Sequence, residues 1–160
     1  MLKRIISGAQ SGAGLAGLKV AKDFGLETGG SIPKGWITTD GPHPEYAELY
    51  NIVEHYSPKY PPRTFKNVRD SDGTIRLAFN FNSPGEICTL KALDQYLKPY
   101  MDVDLNNPGP AQEVADWIVD NSIETLNIAG NSEKTYKGTE EAVYNYLKEV
   151  LSLLDFKEND

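Results

Sequence analysis

Cysteine is almost absent. Cys88 stands alone among 160 residues, which excludes an internal disulfide and any cysteine-rich metal centre. Histidine is nearly as scarce: His43 and His55 lie apart in an irregular stretch with no cysteine beside them, so no metal site is expected. Long apolar runs are missing too, and none approaches the roughly 20 residues that cross a bilayer. Near the start, Lys3 and Arg4 precede only Ile5 and Ile6, an apolar stretch too short for a signal peptide and better suited to a first strand. Positive charge is in deficit. The formal net charge of −7 argues against long nucleic acid as a partner, because phosphate backbones are bound through basic surfaces. These shortages point to a reducing compartment, with the cytoplasm as the simplest choice, and to neither a membrane nor a nucleic-acid partner. A small phosphorylated ligand stays compatible with an acidic chain, since backbone N–H groups and one or two local cations suffice to hold it.

What is present suits a folded globular protein: 39% of residues are hydrophobic and 24% charged. The length fits one domain, assigned to residues 1–155, with 156–160 as a flexible tail. Lys3–Ser7 reads as a strand and Ala9–Gly14 as a glycine-rich loop. Leu15–Phe24 reads as a helix, with Leu15, Leu18, Ala21 and Phe24 on one face and Gly25 as its cap. Glu27–Pro33 allows a short strand. From Lys34 to Pro62 the chain is rich in Pro, Gly, Tyr and acidic residues and reads as irregular, apart from a turn of helix near Pro44–Tyr50. Arg63–Asp70 reads as a short helix, Thr74–Phe81 as a strand and Asn82–Glu86 as a polar turn. Ile87–Leu97 reads as a helix with Ile87, Leu90, Leu93 and Leu97 as its apolar stripe. Tyr100–Leu105 (strand), Pro110–Asp120 (helix), Glu124–Ala129 (strand), a polar loop and Thr139–Leu154 (helix) complete the series. This alternation predicts an α/β fold, a Rossmann-like three-layer sandwich with a mostly parallel sheet flanked by helices.

In such a sheet ligands bind at the carboxyl ends of the strands. Three small or polar loops follow strands here: Ser7–Gly14, Asn82–Glu86 and Ala129–Ser132. The first, spelled Ser7, Gly8, Ala9, Gln10, Ser11, Gly12, Ala13, Gly14, permits close approach of backbone to ligand and leads into a helix whose N-terminus attracts anions. It matches neither the P-loop nor the dinucleotide fingerprint. The second carries Asn82, Ser83, Pro84, Gly85 and Glu86, with Thr89 one turn on. Glu86 either bonds ribose hydroxyls, acts as a general base or merely complements the helix N-terminus. The densest positive charge is Arg63, Lys66 and Arg69, of which Lys66 and Arg69 read as solvated. Cys88 has no paired histidine, so a catalytic thiol is not expected. Tyr46, Tyr50, Tyr56 and Tyr60 read first as local packing, with cover for an adenine-like ring as the alternative for one of them, and Trp36 reads as the better stacking candidate.

Several segments together carry a resemblance: SGAQSG at 7–12, GGSIPKGW at 29–36, DGPHPEY at 40–46, RTFKNVRDSDGT at 63–74, SPGEICT at 83–89 and LNIAGNSE at 126–133. In this order they resemble the circularly permuted YpsA group of the SLOG superfamily, Rossmann-like proteins often labelled as candidate molybdenum-cofactor carriers. The resemblance implies a phosphate-accommodating pocket. It places Gly8, Gln10, Ser11, Gly12, Lys34, Gly35, Arg63, Asn67, Asp70, Ser71, Gly85, Thr89, Gly130 and Asn131 at or near the ligand. Two departures stand out. Ala13, Gly14 and Leu15 replace the acidic-basic pair that usually follows the glycine loop, and P-G-E-I-C-T replaces the usual G-G-x-x-T turn. Losing charged groups while keeping the anion cradle favours binding over chemistry. The expectation is therefore a sensor, carrier or sequestering protein for a phosphorylated small molecule, a nucleotide derivative of ADP-ribose type, with no required cofactor. The alternatives are a phosphoribohydrolase-like nucleotide glycosidase using Glu86 or Asp70, and a carrier of molybdopterin. A homo-oligomer, dimer or higher, is expected for this fold.

Overall fold

The computed structural model describes residues 1–156. In chain order its elements are β1 (Arg4–Ser7), α1 (Ala13–Asp23), β2 (Glu27–Ile32), β3 (Ile37–Thr38), β4 (Gly41–Pro42), α2 (Tyr46–Tyr50), β5 (Ile52–Glu54), α3 (Tyr60–Arg69), β6 (Gly73–Ala78), α4 (Pro84–Tyr96), β7 (Tyr100–Asp104), α5 (Ala111–Asp120), β8 (Thr125–Gly130) and α6 (Thr139–Ser152). Six strands form one sheet in the order β5-β2-β1-β8-β6-β7, and every pairing in it is parallel. β1 is the axis: Ile5 pairs with Thr28 of β2 on one side and Leu126 of β8 on the other. Helices α1, α5 and α6 cover one face and α3 and α4 the other, giving the expected three-layer α/β sandwich.

The main core lies between the sheet and the first helix layer. Ile5, Ile75, Leu77, Leu126 and Ile128 meet Leu147 and Leu151 there, all essentially inaccessible to water. α1 is buried well beyond one stripe, with Ala13, Leu15, Ala16, Gly17, Leu18, Val20 and Ala21 all inside. Its small residues let it lie between the sheet and α6, where Lys19 reaches Glu140 at 2.8 Å. The helix ends as the glycine foretold. Gly25 takes φ +75°, its N–H donates to Lys22 O at 3.1 Å, and the next N–H, of Leu26, donates to Ala21 O at 2.9 Å.

Three expectations need correction. The 34–62 stretch is not mostly irregular. α2 falls where a turn of helix was expected, and beside it the stretch holds the antiparallel β3–β4 ribbon, the edge strand β5, whose three residues are too few to show a period, and the start of α3 at Tyr60. The stripe assigned to the middle helix holds only in part. Leu93 is buried as expected, but Ile87 and Leu97 are exposed, and α4 buries Glu86, Thr89 and Ala92 beside Leu93. Finally, Phe156 is not part of a tail: its ring packs 6.4 Å from Phe24 against the main core, while 157–160 lie outside the described residues.

α4 closes on Leu97 at φ 53°, a left-handed conformation that costs a branched residue about 1 kcal/mol or more. With its side chain 86% exposed, Leu97 gains little packing in return. Leu97→Gly is expected to stabilise the fold by about 1 kcal/mol, read as a higher urea midpoint with an unchanged m-value.

Candidate functional site

Because β1, β8 and β6 are neighbours and parallel, their carboxyl ends deliver three loops to one place, the centre of the sheet edge where strand order reverses. A cavity of about 470 Å³ opens there. The glycine loop contributes Gly8, Gln10 and Gly14 to its lining, and β8 contributes Asn127, Ile128, Ala129 and Gly130. From the second helix layer come Arg63, Thr64 and Asn67 of α3 and Gly85, Glu86, Cys88 and Thr89 of α4.

The glycine loop is braced from within. Ser7 Oγ donates to Gly14 O at 2.8 Å and accepts from the Ala9 N–H at 3.1 Å. Gln10 holds the β3–β4 ribbon over the loop, donating through Nε2 to Ile37 O at 3.1 Å and accepting from the Thr39 N–H at 3.0 Å. Ser11 Oγ meets Thr39 Oγ1 at 2.9 Å. Gly12 caps α1 at φ 94°, and a Cβ there would lie 2.3 Å from Asn131 O. The start of α1 offers less to an anion than its position suggests. The Ala13 N–H donates to Asn131 O at 3.0 Å and the Leu15 N–H to Gln10 O at 2.9 Å, so two early amides are already spent inside the protein.

Arg63 supplies the positive charge. Its guanidinium lies over Gly8 so closely that a Cβ on Gly8 would fall 1.2 Å from Nη1. The Tyr60 ring centroid is 5.3 Å from its Cζ. Among the described residues no carboxylate pairs with it, and its Nε is buried without a partner. Burial lowers its pKa to about 10, which leaves it charged at neutral pH.

Glu86 faces the same cavity from the first turn of α4 and is only 2% exposed. Its Oε1 is buried without a well-formed hydrogen bond, its Oε2 has Ser83 Oγ at a long 3.5 Å, and the Asn131 side chain lies close enough to favour the ionised form. Burial pushes the carboxyl up to about 7, against the pull of the nearby Arg76 charge. Arg76 does not neutralise Glu86 directly. It forms a bidentate pair with Asp102 at 2.7 and 2.6 Å and donates through Nη1 to the backbone carbonyl of Glu86 at 3.1 Å.

Of the residues singled out in the sequence, Gly8, Gln10, Arg63, Asn67, Ser83, Pro84, Gly85, Glu86, Thr89 and Gly130 line the cavity. Ser7, Ala9, Ser11 and Gly12 form the loop behind it. Asn131 braces that loop's neighbours: its Oδ1 accepts from the Phe79 and Asn80 N–H groups at 2.9 and 3.0 Å. Asn67 ties α3 to β2 through both polar atoms, which bond the N–H and carbonyl of Ser31 at 2.8 and 3.1 Å. Asp70 lies in an exposed cluster with Lys66 and Arg69. Ser71 Oγ donates to Val68 O at 2.9 Å, and the Asn82 N–H donates to Asn80 Oδ1 at 2.9 Å. Lys34, Gly35 and Trp36 form the turn after β2. There the Gly35 N–H reaches Glu54 at 2.6 Å, and Trp36 packs on the small cluster around Ala9, Leu15 and Ile32.

Thr39, Asn127 and Thr135, which the sequence did not single out, also line the cavity, together with Ser132 of the third loop and with Tyr60 and Cys88, which were read as packing and as an unreactive thiol. Burial pushes the Cys88 thiol up, with Arg63 the largest opposing influence. Asn127 carried a signal. It is a lone amide in an otherwise apolar strand, 3% exposed, donating to Thr74 Oγ1 at 3.2 Å. Among the described residues no group of three or more His, Cys, Asp or Glu is placed to hold a metal ion, and no helix is long and apolar enough to cross a membrane.

The chain is similar in fold and sequence to a protein of Syntrophus aciditrophicus SB proposed to be a molybdenum carrier. That crystal structure superimposes with a TM-score of 0.85 at 33% identity, over 94% of this chain and 95% of that one. No curated protein matches it. A family model matches residues 5–151. The chain belongs to the circularly permutated YpsA SLOG family.

Proposed function

We propose that the chain binds a phosphorylated small molecule in this cavity, a nucleotide derivative of ADP-ribose type, and holds it as a sensor, carrier or sequestering protein. The observation that carries this reading is Arg63, a charged guanidinium lying over the glycine loop with no carboxylate partner among the described residues. A half-buried cation without a counter-charge is partly desolvated at a cost, and an anionic ligand offsets that cost. The lining supports a ring-bearing ligand as well: Tyr60, Pro61, Pro84 and Ile128 give apolar surface beside the polar groups. Calorimetric titration with adenine nucleotides and ADP-ribose derivatives tests the reading. Saturable binding to at least one of them is expected, and uniform absence of binding would sink it.

Two other readings have an observation each. Glu86 is a buried carboxyl poised near neutrality, which suits general acid–base work in a nucleotide glycosidase. Release of free base from a nucleoside monophosphate, lost in Glu86→Gln, would favour it. The Syntrophus protein is named as a candidate molybdenum carrier, which keeps open the expected alternative that the cargo at the same anion end is molybdopterin, a phosphorylated pterin. Mass spectrometry of whatever co-purifies distinguishes that cargo from a nucleotide.

A further inference from the structure

The cavity changes character from mouth to floor. α3 presents Tyr60, Arg63, Thr64 and Asn67 to it, the spacing of a single helix face. Along that face burial deepens: Tyr60 is 40% exposed, Arg63 and Thr64 are half-buried, and Asn67 is buried. α4 repeats the gradient, with Pro84 exposed and Glu86 and Thr89 buried. On the α3–α4 side the polar side chains therefore lie deep, and the rim is apolar: Tyr60, Pro61 and Pro84. Among the described residues Tyr60 is the only aromatic side chain that lines the cavity, and it packs on no other aromatic ring. Its ring meets Arg63, one helical turn further in, with Cζ 5.3 Å from the centroid.

We infer that the cavity takes a nucleoside monophosphate phosphate-first, with the base stacked on Tyr60 at the rim, so that it requires a flat ring but does not read which purine the ring is. The inference rests on the binding reading above and deepens it by fixing the ligand's orientation. The anion is drawn below the rim, to the guanidinium that lies over Gly8. From there the organic part has two directions. Inward it meets side chains already engaged within the protein: Asn67 holds Ser31 with both polar atoms, and Thr89 donates to Gly85 O at 3.0 Å. Outward it meets the half-open ring of Tyr60 between two prolines of the rim. An aromatic side chain stacks a base through its π-face and its apolar area, and every base has such a face, so the gain tolerates a change of base. A ring held at the rim also keeps its hydrogen-bonding edge in water. Tyr60 is then the specificity-determining residue, and it separates ligands that carry a ring from those that do not.

Calorimetric titration of the purified protein with ribose 5-phosphate, AMP and GMP tests this. AMP and GMP are expected to bind within about fivefold of each other, and both about tenfold or more tighter than ribose 5-phosphate, the low end of what one base gains on an aromatic side chain. Tyr60→Ala is expected to bring the ratio of nucleotide to sugar-phosphate affinity close to one, and Tyr60→Phe to retain it. The sugar phosphate also controls for the contact between Tyr60 and Arg63. A ratio retained in Tyr60→Ala, with or without a common loss of affinity, means that Tyr60 acts at most through Arg63, and it overturns the inference. A wider gap between the two purines overturns it as well, because the base edge is then read inside the cavity. Nucleotides that bind no tighter than ribose 5-phosphate overturn the stacking while leaving the binding reading intact. Binding of none of the three also overturns the inference, and the binding reading is then decided by the wider titration with ADP-ribose derivatives. Should Tyr60→Ala fail to fold, Tyr60→Leu, which keeps apolar bulk without an aromatic face, takes its place.

Discussion

Arg63→Met is expected to lower the affinity for any phosphate ester by roughly a hundredfold, the loss of two charge-assisted hydrogen bonds at about 1.5 kcal/mol each. The fold should survive. Arg63 forms no ion pair among the described residues, and methionine can occupy the same space without a buried charge. Thermal unfolding of the variant is therefore expected at or above the wild-type temperature, while calorimetric titration shows the loss of binding. Gly8→Ala should reproduce the binding defect from the other side, because its Cβ would lie 1.2 Å from the guanidinium and displace it. Undiminished affinity in Arg63→Met would place the anion elsewhere and remove the basis of the proposed function. The pKa near 10 adds a second signature: Arg63 stays charged through pH 8, so a change of affinity near pH 7 reports the ionisation of Glu86, and a further loss on approach to pH 10 reports Arg63.

Glu86→Gln is expected to change the pH dependence of stability. The Glu86 carboxyl moves from 4.5 to about 7 on folding, so the folded state binds its proton more tightly than the unfolded state does. Its stabilising contribution is fully present below pH 4.5 and is lost as the pH rises through about 7. Above that, the folded protein must hold an ionised carboxylate that burial disfavours, at a cost of about 3 kcal/mol relative to acid. The difference in unfolding free energy between Glu86→Gln and wild type should therefore grow in the variant's favour from pH 5 to pH 8. Urea unfolding at intervals across that range measures it, and subtracting one protein from the other cancels all the common titrating groups. A flat difference would mean that Glu86 ionises as an ordinary surface carboxylate, and the picture of a carboxyl raised by burial would be wrong. Stability surrendered to hold a functional group in a dry site is a common trade at binding and catalytic positions.

Local pattern carried much of this protein. The small-residue loop between a short strand and an apolar helix announced β1, Ser7–Gly14 and α1, and the alternation of periods announced the parallel sandwich, because strands and helices bury apolar residues at different spacings. Convergence of the three loops followed from the same alternation, since parallel strands put all their carboxyl ends on one edge. The PGEICT turn could be seen as a departure from the family's usual glycine-rich form, and Arg63 stood out in a basic cluster.

Other features depended on chain segments far apart in sequence. β5 owes its existence to pairing with β2, not to any period within three residues. Ile87 and Leu97 follow helical spacing yet face water, because the side of α4 that meets the sheet and α3 is the one bearing Glu86, Thr89 and Ala92. Asn131 and two early amides of α1 are consumed in holding loops together, a use that no local pattern reveals. Above all, the site depends on α3 laying Arg63 over Gly8 and on α4 turning Glu86 inward without bringing the two into contact. Residue types and their spacing determined by themselves that this chain would form a Rossmann-like sheet with a small-residue loop at its edge, because those are properties of short segments. Only the tertiary structure decided which of the many polar groups would be left without partners, because satisfaction of a buried donor or acceptor depends on what packs against it from elsewhere in the chain.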